Sequence, residues 1–246
     1  MQVTVLGSGS AMPTGKRMQT GLLLDRGESS LLVDCGSGAL HRLAETSVGY
    51  SGIDALLLTH HHLDHVSDVM PLLKARWLEG ATEFTVAGPP GTEALLDGLF
   101  DVHEYMQDRL DLAITEVEPG SFELVGFEVQ AIETRHSMYC LAYRFEGEDG
   151  AFTFSGDSEA FEDLAAFADG SDVLLHDCSF PDEIDVSNHP TPSKLGAVLE
   201  GHDYGTVYLT HLYPHTNGKH REMLDSIGDR YGGDVEFARD GLTVEV

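Results

Sequence analysis

A mixed α/β fold, with two β-sheets packed face to face and helices on their outer surfaces, is what this sequence predicts, on three observations. Ten short apolar runs of strand length recur along the 246 residues, and six stretches with apolar residues three and four apart lie among them. Strands precede and alternate with helices in both halves of the chain. Each run alone would leave an apolar face in water, and stacking two sheets between helical layers buries all of them.

The elements follow in order. Val3–Leu6 opens the chain as a strand, and the leucine-rich Gly21–Asp25 and Ser30–Asp34 follow as two more. Ala39–Thr46 has helical spacing. Ala55–Thr59 is an apolar strand ending in Thr, and Val66–Trp77 has the period of a core-facing helix. Glu83–Ala87 is a strand and Thr92–Phe100 a helix. In the second half Phe127–Ile132, Cys140–Phe145 and Ala151–Ser155 are strands, then Glu159–Ala168 a helix, Val173–His176 a strand, Ser193–Gly201 a helix, Val207–Thr210 a strand and Lys219–Tyr231 a helix. Pro119-Gly120 and Gly147–Gly150 read as turns, too short for a domain linker, and no exact internal repeat is visible. Residues 1–246 are therefore expected to form one unit.

No apolar run approaches the roughly 18–20 residues that span a bilayer, so a soluble, unexported protein is expected. Cys35, Cys140 and Cys178 are odd in number and set among apolar residues, which favours buried thiols in a reducing cytoplasm over disulfides. Charge is the extreme property: 14 basic against 42 acidic residues give a net charge of −28. The acidity is dispersed, so it belongs to the whole surface and not to a tail. In molar salt the Debye length is about 3 Å, and such self-repulsion is screened; a halophilic source is expected. Avoidance of polyanions is a compatible functional reading.

The chemistry lies in seven residues. His60, His62, Asp64 and His65 lie within six consecutive positions directly after the strand Ala55–Thr59, and His136, Asp157 and His211 each follow a strand. Imidazoles two apart project to one side of an extended segment, so His60 and His62 can grip one cation. Asp64 and His65 follow where the chain turns into a helix, which aims them at a neighbouring point. Imidazoles and carboxylates next to a buried strand cost several kcal/mol unless something coordinates them. Residues at the ends of adjacent strands also converge in space. Two ions side by side are expected. The Gly7-Ser8-Gly9 run after a strand is not a dinucleotide loop, because Pro13 and Gly15 obstruct the helix that would have to follow.

The pattern His-x-His-x-Asp-His, then a His, Gly156-Asp157-Ser158 and Leu209-Thr210-His211, resembles the metallo-β-lactamase superfamily, and its ribonuclease Z-like branch in particular. Leu6-Gly7-Ser8-Gly9-Ser10-Ala11-Met12-Pro13, Leu32-Val33-Asp34-Cys35-Gly36, Ser171-Asp172-Val173-Leu174-Leu175-His176-Asp177 and His189-Pro190-Thr191 resemble further stretches of that branch, so the similarity runs over nearly the whole length. The resemblance implies a four-layer αββα sandwich. It implies one zinc on His60, His62 and His136, another on Asp64, His65 and His211, Asp157 between them, and Asp34 steadying a ligand from behind. It also suggests homodimerisation.

Two divalent ions about 3.5–4 Å apart make the water between them a nucleophile at neutral pH. A dinuclear-metal-dependent hydrolase, a phosphodiesterase or nuclease acting through that bridging hydroxide, is therefore the expected function, with Asp64 essential to turnover. His189 is the candidate proton donor to the leaving group, and His176 with Asp177 a second candidate. Mixed His and carboxylate ligation suits zinc, while manganese or iron fits the same donors. His41, His61, His103, His202, His215 and His220 are expected to face solvent or to pack. Ribonuclease Z enzymes carry a long Gly/Pro-rich arm between the third and fourth metal motifs to grip transfer RNA. Here twenty residues separate His136 from Asp157, enough for a hairpin. A smaller phosphodiester, or the end of a nucleic-acid strand, is the expected substrate. The alternatives are ribonuclease Z itself, a lactone or thioester hydrolase, and a non-catalytic metal-binding protein.

Overall fold

The computed structural model describes residues 1–147, 150–184 and 186–246. The first half contributes β1 (Gln2–Gly7), β2 (Gly21–Asp25), β3 (Ser30–Val33), α1 (Ala39–Leu43), β4 (Ala55–Leu57), α2 (Leu63–Val66), α3 (Val69–Glu79), β5 (Glu83–Gly88), α4 (Thr92–Val102) and β6 (Asp111–Glu116). The second contributes β7 (Gly120–Leu124), β8 (Phe127–Glu133), β9 (Leu141–Glu146), β10 (Ala151–Phe154), α5 (Glu162–Ala168), β11 (Val173–Asp177), α6 (Pro192–Leu199), β12 (Thr206–Thr210), α7 (His220–Gly228), β13 (Asp234–Phe237) and β14 (Thr243–Glu245). Among the described residues there are two seven-stranded sheets, ordered β14-β1-β2-β3-β4-β5-β6 and β13-β12-β11-β10-β9-β8-β7.

Alternation along each strand sorts side chains to the two faces of a sheet. Leu31 and Val33 face the other sheet, where Val3, Val5, Leu22 and Leu24 meet Phe127, Tyr143, Phe145 and Phe154. Leu32 points the opposite way, into the layer of Leu72, Leu73 and Leu96 on α3 and α4. On the far side Leu174, Val207 and Leu209 pack under Leu195, Leu199, Met223 and Ile227 of α6 and α7. Helix, sheet, sheet and helix are the four layers expected.

An internal correspondence invisible in the sequence emerges here. Read from β14 or from β7, each sheet has three antiparallel pairings followed by three parallel ones. The halves share a strand plan without sharing a residue pattern.

Several expectations need correction. The strands β6, β7, β13 and β14 are not among the ten that the sequence predicts; β6, β13 and β14 are outermost, β7 likewise, and most of their residues are at least partly exposed. Gly120, expected in a turn, is the first residue of β7. The single helix expected over 66–77 is broken between α2 and α3. Asp68 donates its N–H to the Cys35 carbonyl (2.9 Å), and its carboxylate accepts from the N–H groups of Gly38 and Leu40 (2.8 and 3.1 Å). Pro71 has no N–H with which to bridge the break. Finally, α5 begins at Glu162, three residues later than expected, and Glu159 instead donates its N–H to the Arg135 carbonyl (2.9 Å). The interior of the expected turn over 147–150, residues 148 and 149, lies outside the described residues.

No helix is long and apolar enough to cross a membrane among the described residues. Cys35, Cys140 and Cys178 are all unpaired and buried.

Candidate metal centre

The parallel strands β3, β4, β10, β11 and β12 end at one edge of the sandwich, and the loops leaving them carry Asp34, His60, Asp157, Asp177 and His211 or the residues beside them. His136 arrives from the loop after β8, which runs the same way as β10 because both are antiparallel to β9. Close approach makes this possible. A Cβ at Gly36 would sit 1.9 Å from the Asp64 carbonyl oxygen, so only glycine lets the loop after β3 press against α2.

All seven residues singled out in the sequence meet here. His60 Nε2 and His62 Nδ1 are 3.0 Å apart, and His136 Nε2 lies 3.1 Å from the same His62 nitrogen. His211 Nε2 is 3.1 Å from Asp64 Oδ2. Asp157 stands between the two groups: its Oδ1 is 3.3 Å from His65 Nε2, and its Oδ2 is 3.3 Å from His211 Nε2, 3.7 Å from His60 Nε2 and 3.8 Å from His136 Nε2.

Groups behind these rings set their tautomers. His65 Nδ1 donates to Asp34 Oδ2 (2.7 Å), and Asp34 also accepts from the backbone N–H and hydroxyl of Thr59, each at 2.8 Å. With its proton spent on Asp34, the Thr59 hydroxyl accepts from His60 Nδ1 at 3.0 Å. His136 Nδ1 donates to the Asn188 carbonyl (3.2 Å). Ser179 Oγ donates to Asp177 Oδ1 (2.6 Å) and accepts from His211 Nδ1 (2.9 Å). In these four rings the Nδ1 proton is anchored, and Nε2 faces the centre.

That arrangement decides whether a cation fits. The lone pairs of His60 and His136 both face His62 Nδ1, which has at most one proton to give. His65 Nε2 and Asp157 Oδ1 are buried and have no hydrogen-bond partner among the described residues. Buried polar atoms are rarely left so. Donors around a tetrahedral zinc at about 2.0–2.1 Å lie roughly 3.3–3.4 Å apart, close to the separations found. Two sets of donors, His60, His62, His136 and Asp157, and Asp64, His65 and His211, each lie within 4.8 Å of one another. The arrangement fits two divalent cations.

Electrostatics agree. Burial pushes the His60 ring well below the ordinary imidazole value, keeping it neutral. Burial would raise the Asp157 carboxyl, but the facing His211 and His65 rings hold it well below the usual carboxylate range. Burial likewise lowers the His65 ring, but Asp157 and Asp34 outweigh it and hold that ring well above the ordinary imidazole value, so that His65 Nε2 carries a proton that a bound cation would displace. A cavity of about 400 Å³ opens onto the centre, and His62, Asp64, His136, Asp157, His189 and Tyr213 are on its wall. His189 Nδ1 donates to Asp177 Oδ2 (2.7 Å). Burial lowers this ring, but the Asp177 carboxylate outweighs it and carries His189 to about 9. His176 is a correction: its Nδ1 turns to the backbone carbonyl of Asp177 (2.7 Å), it is buried, and it is not on the cavity wall. His61 packs instead of facing the centre, with its Nε2 2.9 Å from Thr92 Oγ1.

Thr59, Ser179, Asn188 and Tyr213 were missed in the sequence. Ser179 and Tyr213 each sit two residues past a residue already flagged, and the strand-end rule applied more widely would have found them. Asn188 occupies the left-handed region (φ 70°), as do Asp34 (57°) and His211 (58°). Asparagine just before His189 was the available signal.

The family model of the β-lactamase superfamily domain matches residues 30–212. The chain belongs to the metallo-β-lactamase superfamily. Within the superfamily it lies in the ribonuclease Z-like branch. It is 27% identical to the ribonuclease Z of Mycobacterium sp. (strain KMS), over 100% of this chain and 96% of that relative. The metallo-β-lactamase fold protein YhfI from Bacillus subtilis superposes with a TM-score of 0.85 at 25% identity, covering 99% of each chain. The short form of human tRNase Z superposes at 0.81 with 18% identity, over 100% of this chain and 99% of that one, a likeness of fold.

Proposed function

We propose that this superfamily member is a two-metal hydrolase of phosphodiesters, with His60, His62 and His136 holding one ion, Asp64, His65 and His211 the other, and Asp157 contacting both. The observation that carries the proposal is Asp157, whose two oxygens face both sets of imidazoles while Oδ1 has no hydrogen-bond partner among the described residues. Zinc is the proposed metal, on the strength of the imidazole-rich donor set; manganese and iron accept the same ligands.

A pair of divalent ions there supplies Lewis acidity at the phosphoryl oxygen and a water acidic enough to attack at neutral pH. The chain's own residues supply the rest. Asp34, Thr59, Asn188 and Ser179 hold four imidazoles in the tautomer that offers Nε2. Asp64 sets its carboxylate 3.1 Å from His211 Nε2, so that both donors face the same point. His189, with Nδ1 committed to Asp177, has Nε2 free to give a proton to the leaving oxygen.

The substrate is a phosphodiester smaller than a folded transfer RNA. The interval between His136 and Asp157 is filled by β9 and β10, which pair with each other, and leaves no room for an arm. Hydrolysis of bis-p-nitrophenyl phosphate without processing of precursor transfer RNA supports this reading. Accurate cleavage at the transfer RNA 3′ end would overturn it in favour of ribonuclease Z, the second reading, which rests on the names of the relatives. The acidic surface, −28 overall, supports a cytoplasm of high salt, and the buried thiols support a reducing one. A homodimer, with each 246-residue chain as one unit, completes the proposal.

A further inference from the structure

The surface is strongly acidic, yet its exposed apolar side chains are not scattered. Seven large hydrophobic residues are exposed among the described residues, and four belong to the segments that frame the cavity: Met12 (48% exposed), Leu63 (78%), Met138 (38%) and Tyr139 (37%). Leu63 is on the cavity wall itself, while Met12 follows Ala11 and Met138 follows Ser137, both of which are. Tyr213 closes another side, its ring stacked on Phe180 at 4.4 Å between centroids and so fixed in place.

What the wall lacks matters as much. Among the described residues, no lysine or arginine lines the cavity. The nearest cation in sequence, Arg135, has its guanidinium laid over the Phe161 ring at 4.5 Å, and Arg17 is bound to Ser8 and the Ala238 carbonyl. A polynucleotide needs a cation for successive phosphates along its track, and this surface offers the opposite charge. A leucine held in water beside Asp64 gains nothing for the fold. Such patches rimmed by polar groups mark sites of binding.

We propose, resting on the phosphodiesterase reading above, that Met12, Leu63, Met138 and Tyr213 form an apolar subsite for a planar aromatic group esterified to the phosphate. The substrate is then a diester with one negative charge and an aromatic substituent, and not a strand with a phosphate at every step. Recognition comes from burial of the aromatic face, which salt does not screen, while divalent cations held by the metal ligands would take the single phosphate.

Binding of phenylphosphonate and methylphosphonate to the metal-loaded protein, measured by calorimetry, tests the subsite without requiring turnover. The phenyl compound is expected to bind at least tenfold tighter; tenfold is about 1.4 kcal/mol and corresponds to about 55 Å² of apolar surface removed from water. In Leu63→Ser, and separately in Met12→Ser combined with Met138→Ser, that ratio should fall below threefold with metal content unchanged. These side chains are exposed, so the variants keep the fold. A wild-type ratio under twofold, or a ratio untouched by both variants, overturns the subsite. Turnover of methyl, phenyl and thymidine 5′-(4-nitrophenyl) phosphates, which share one leaving group, runs beside it. Failure to hydrolyse any of them overturns the phosphodiesterase reading, and the phosphonate ratio still judges the subsite. Because each of them carries the aromatic 4-nitrophenyl group, these esters judge the phosphodiesterase reading alone, and the phosphonate ratio with its variants judges the subsite.

Discussion

Replacing Asp34 by Asn should leave the protein folded but cripple one half of the metal centre. Asp34 is fully buried, sits at φ 57°, and accepts three hydrogen bonds at 2.7–2.8 Å, from the Thr59 N–H, the Thr59 hydroxyl and His65 Nδ1. Asparagine tolerates the left-handed backbone as well as aspartate does, and its carbonyl keeps the bond to the Thr59 N–H. The amide –NH2, however, then faces two donors. His65 can relieve the clash only by moving its proton from Nδ1 to Nε2, the nitrogen 3.3 Å from Asp157 Oδ1, and a protonated Nε2 cannot bind a cation. Losing a hydrogen bond to a charged group costs about 1.5–3 kcal/mol, which urea denaturation of the chelated protein will read. Losing the group that orients a metal-bound imidazole weakens metal binding about 10–100-fold, which competition against a chromophoric chelator will read. An Asp34→Asn variant that holds both ions as tightly as the native protein, with metal-free stability unchanged, would refute the tautomer reasoning.

Four further outcomes are expected. Asp157→Ala should lower turnover of bis-p-nitrophenyl phosphate more than about 10³-fold, whereas His61→Ala should stay within a few-fold; equal losses would mean that the ligand geometry is misread. Chelation should lower the melting temperature, because an ion at 100 times its dissociation constant contributes about 2.7 kcal/mol, or roughly 5–11 °C for a chain of this size; full recovery on adding zinc completes the check, and no shift on chelation counts against a bound ion. Raising KCl from 0.1 to 1 M shortens the Debye length from about 10 to 3 Å and should raise the melting temperature of a chain carrying −28, whereas a fall would contradict the halophilic reading. Burial raises the Cys35 and Cys178 thiols well above their ordinary value. Their contribution to stability is thus complete below about pH 8.5 and lost as pH rises toward the folded values, and a thiol reagent at pH 8 should react only at the rate of unfolding.

The sequence was most legible where burial was deepest. Leu31-Leu32-Val33 and Ala55-Leu56-Leu57 are covered on both faces, so no polar residue interrupts them and their strands are plain. The outermost strands bury little, and Asp111–Glu116, with half its residues exposed or more, carries no apolar run to recognise. The proposed ligands were legible for a related reason: imidazoles next to such buried runs read poorly as surface residues. Their supports were not. Ser179 and Asn188 act through one hydroxyl and one backbone carbonyl, groups that every serine and every residue possess, so only the folded geometry distinguishes them. The helix boundary at Asp68 failed similarly, because the pull on its backbone comes from Cys35, 33 positions away in the chain.

Backbone strain adds a final step. Five non-glycine residues have positive φ among those described, and Asp34, Asn188 and His211 are three of them. Such conformations cost about 1–3 kcal/mol each, and here each belongs to a residue in a bond that also orients a proposed ligand: Asp34 to His65, the Asn188 carbonyl to His136, and His211 to Ser179. The strain is therefore held by the scaffold before any cation arrives. Asn188 is held in turn from its other side, its N–H donating to Glu159 Oε1 at 3.0 Å. Glu159→Gln keeps an acceptor there and should leave metal binding nearly intact. Glu159→Ala frees Asn188 to relax toward the ordinary backbone region, withdraws the acceptor from His136 Nδ1, and should weaken the ion on His60, His62 and His136 while sparing the one on Asp64, His65 and His211. Loss of both ions together in Glu159→Ala would show that the two halves of the centre are not separately supported.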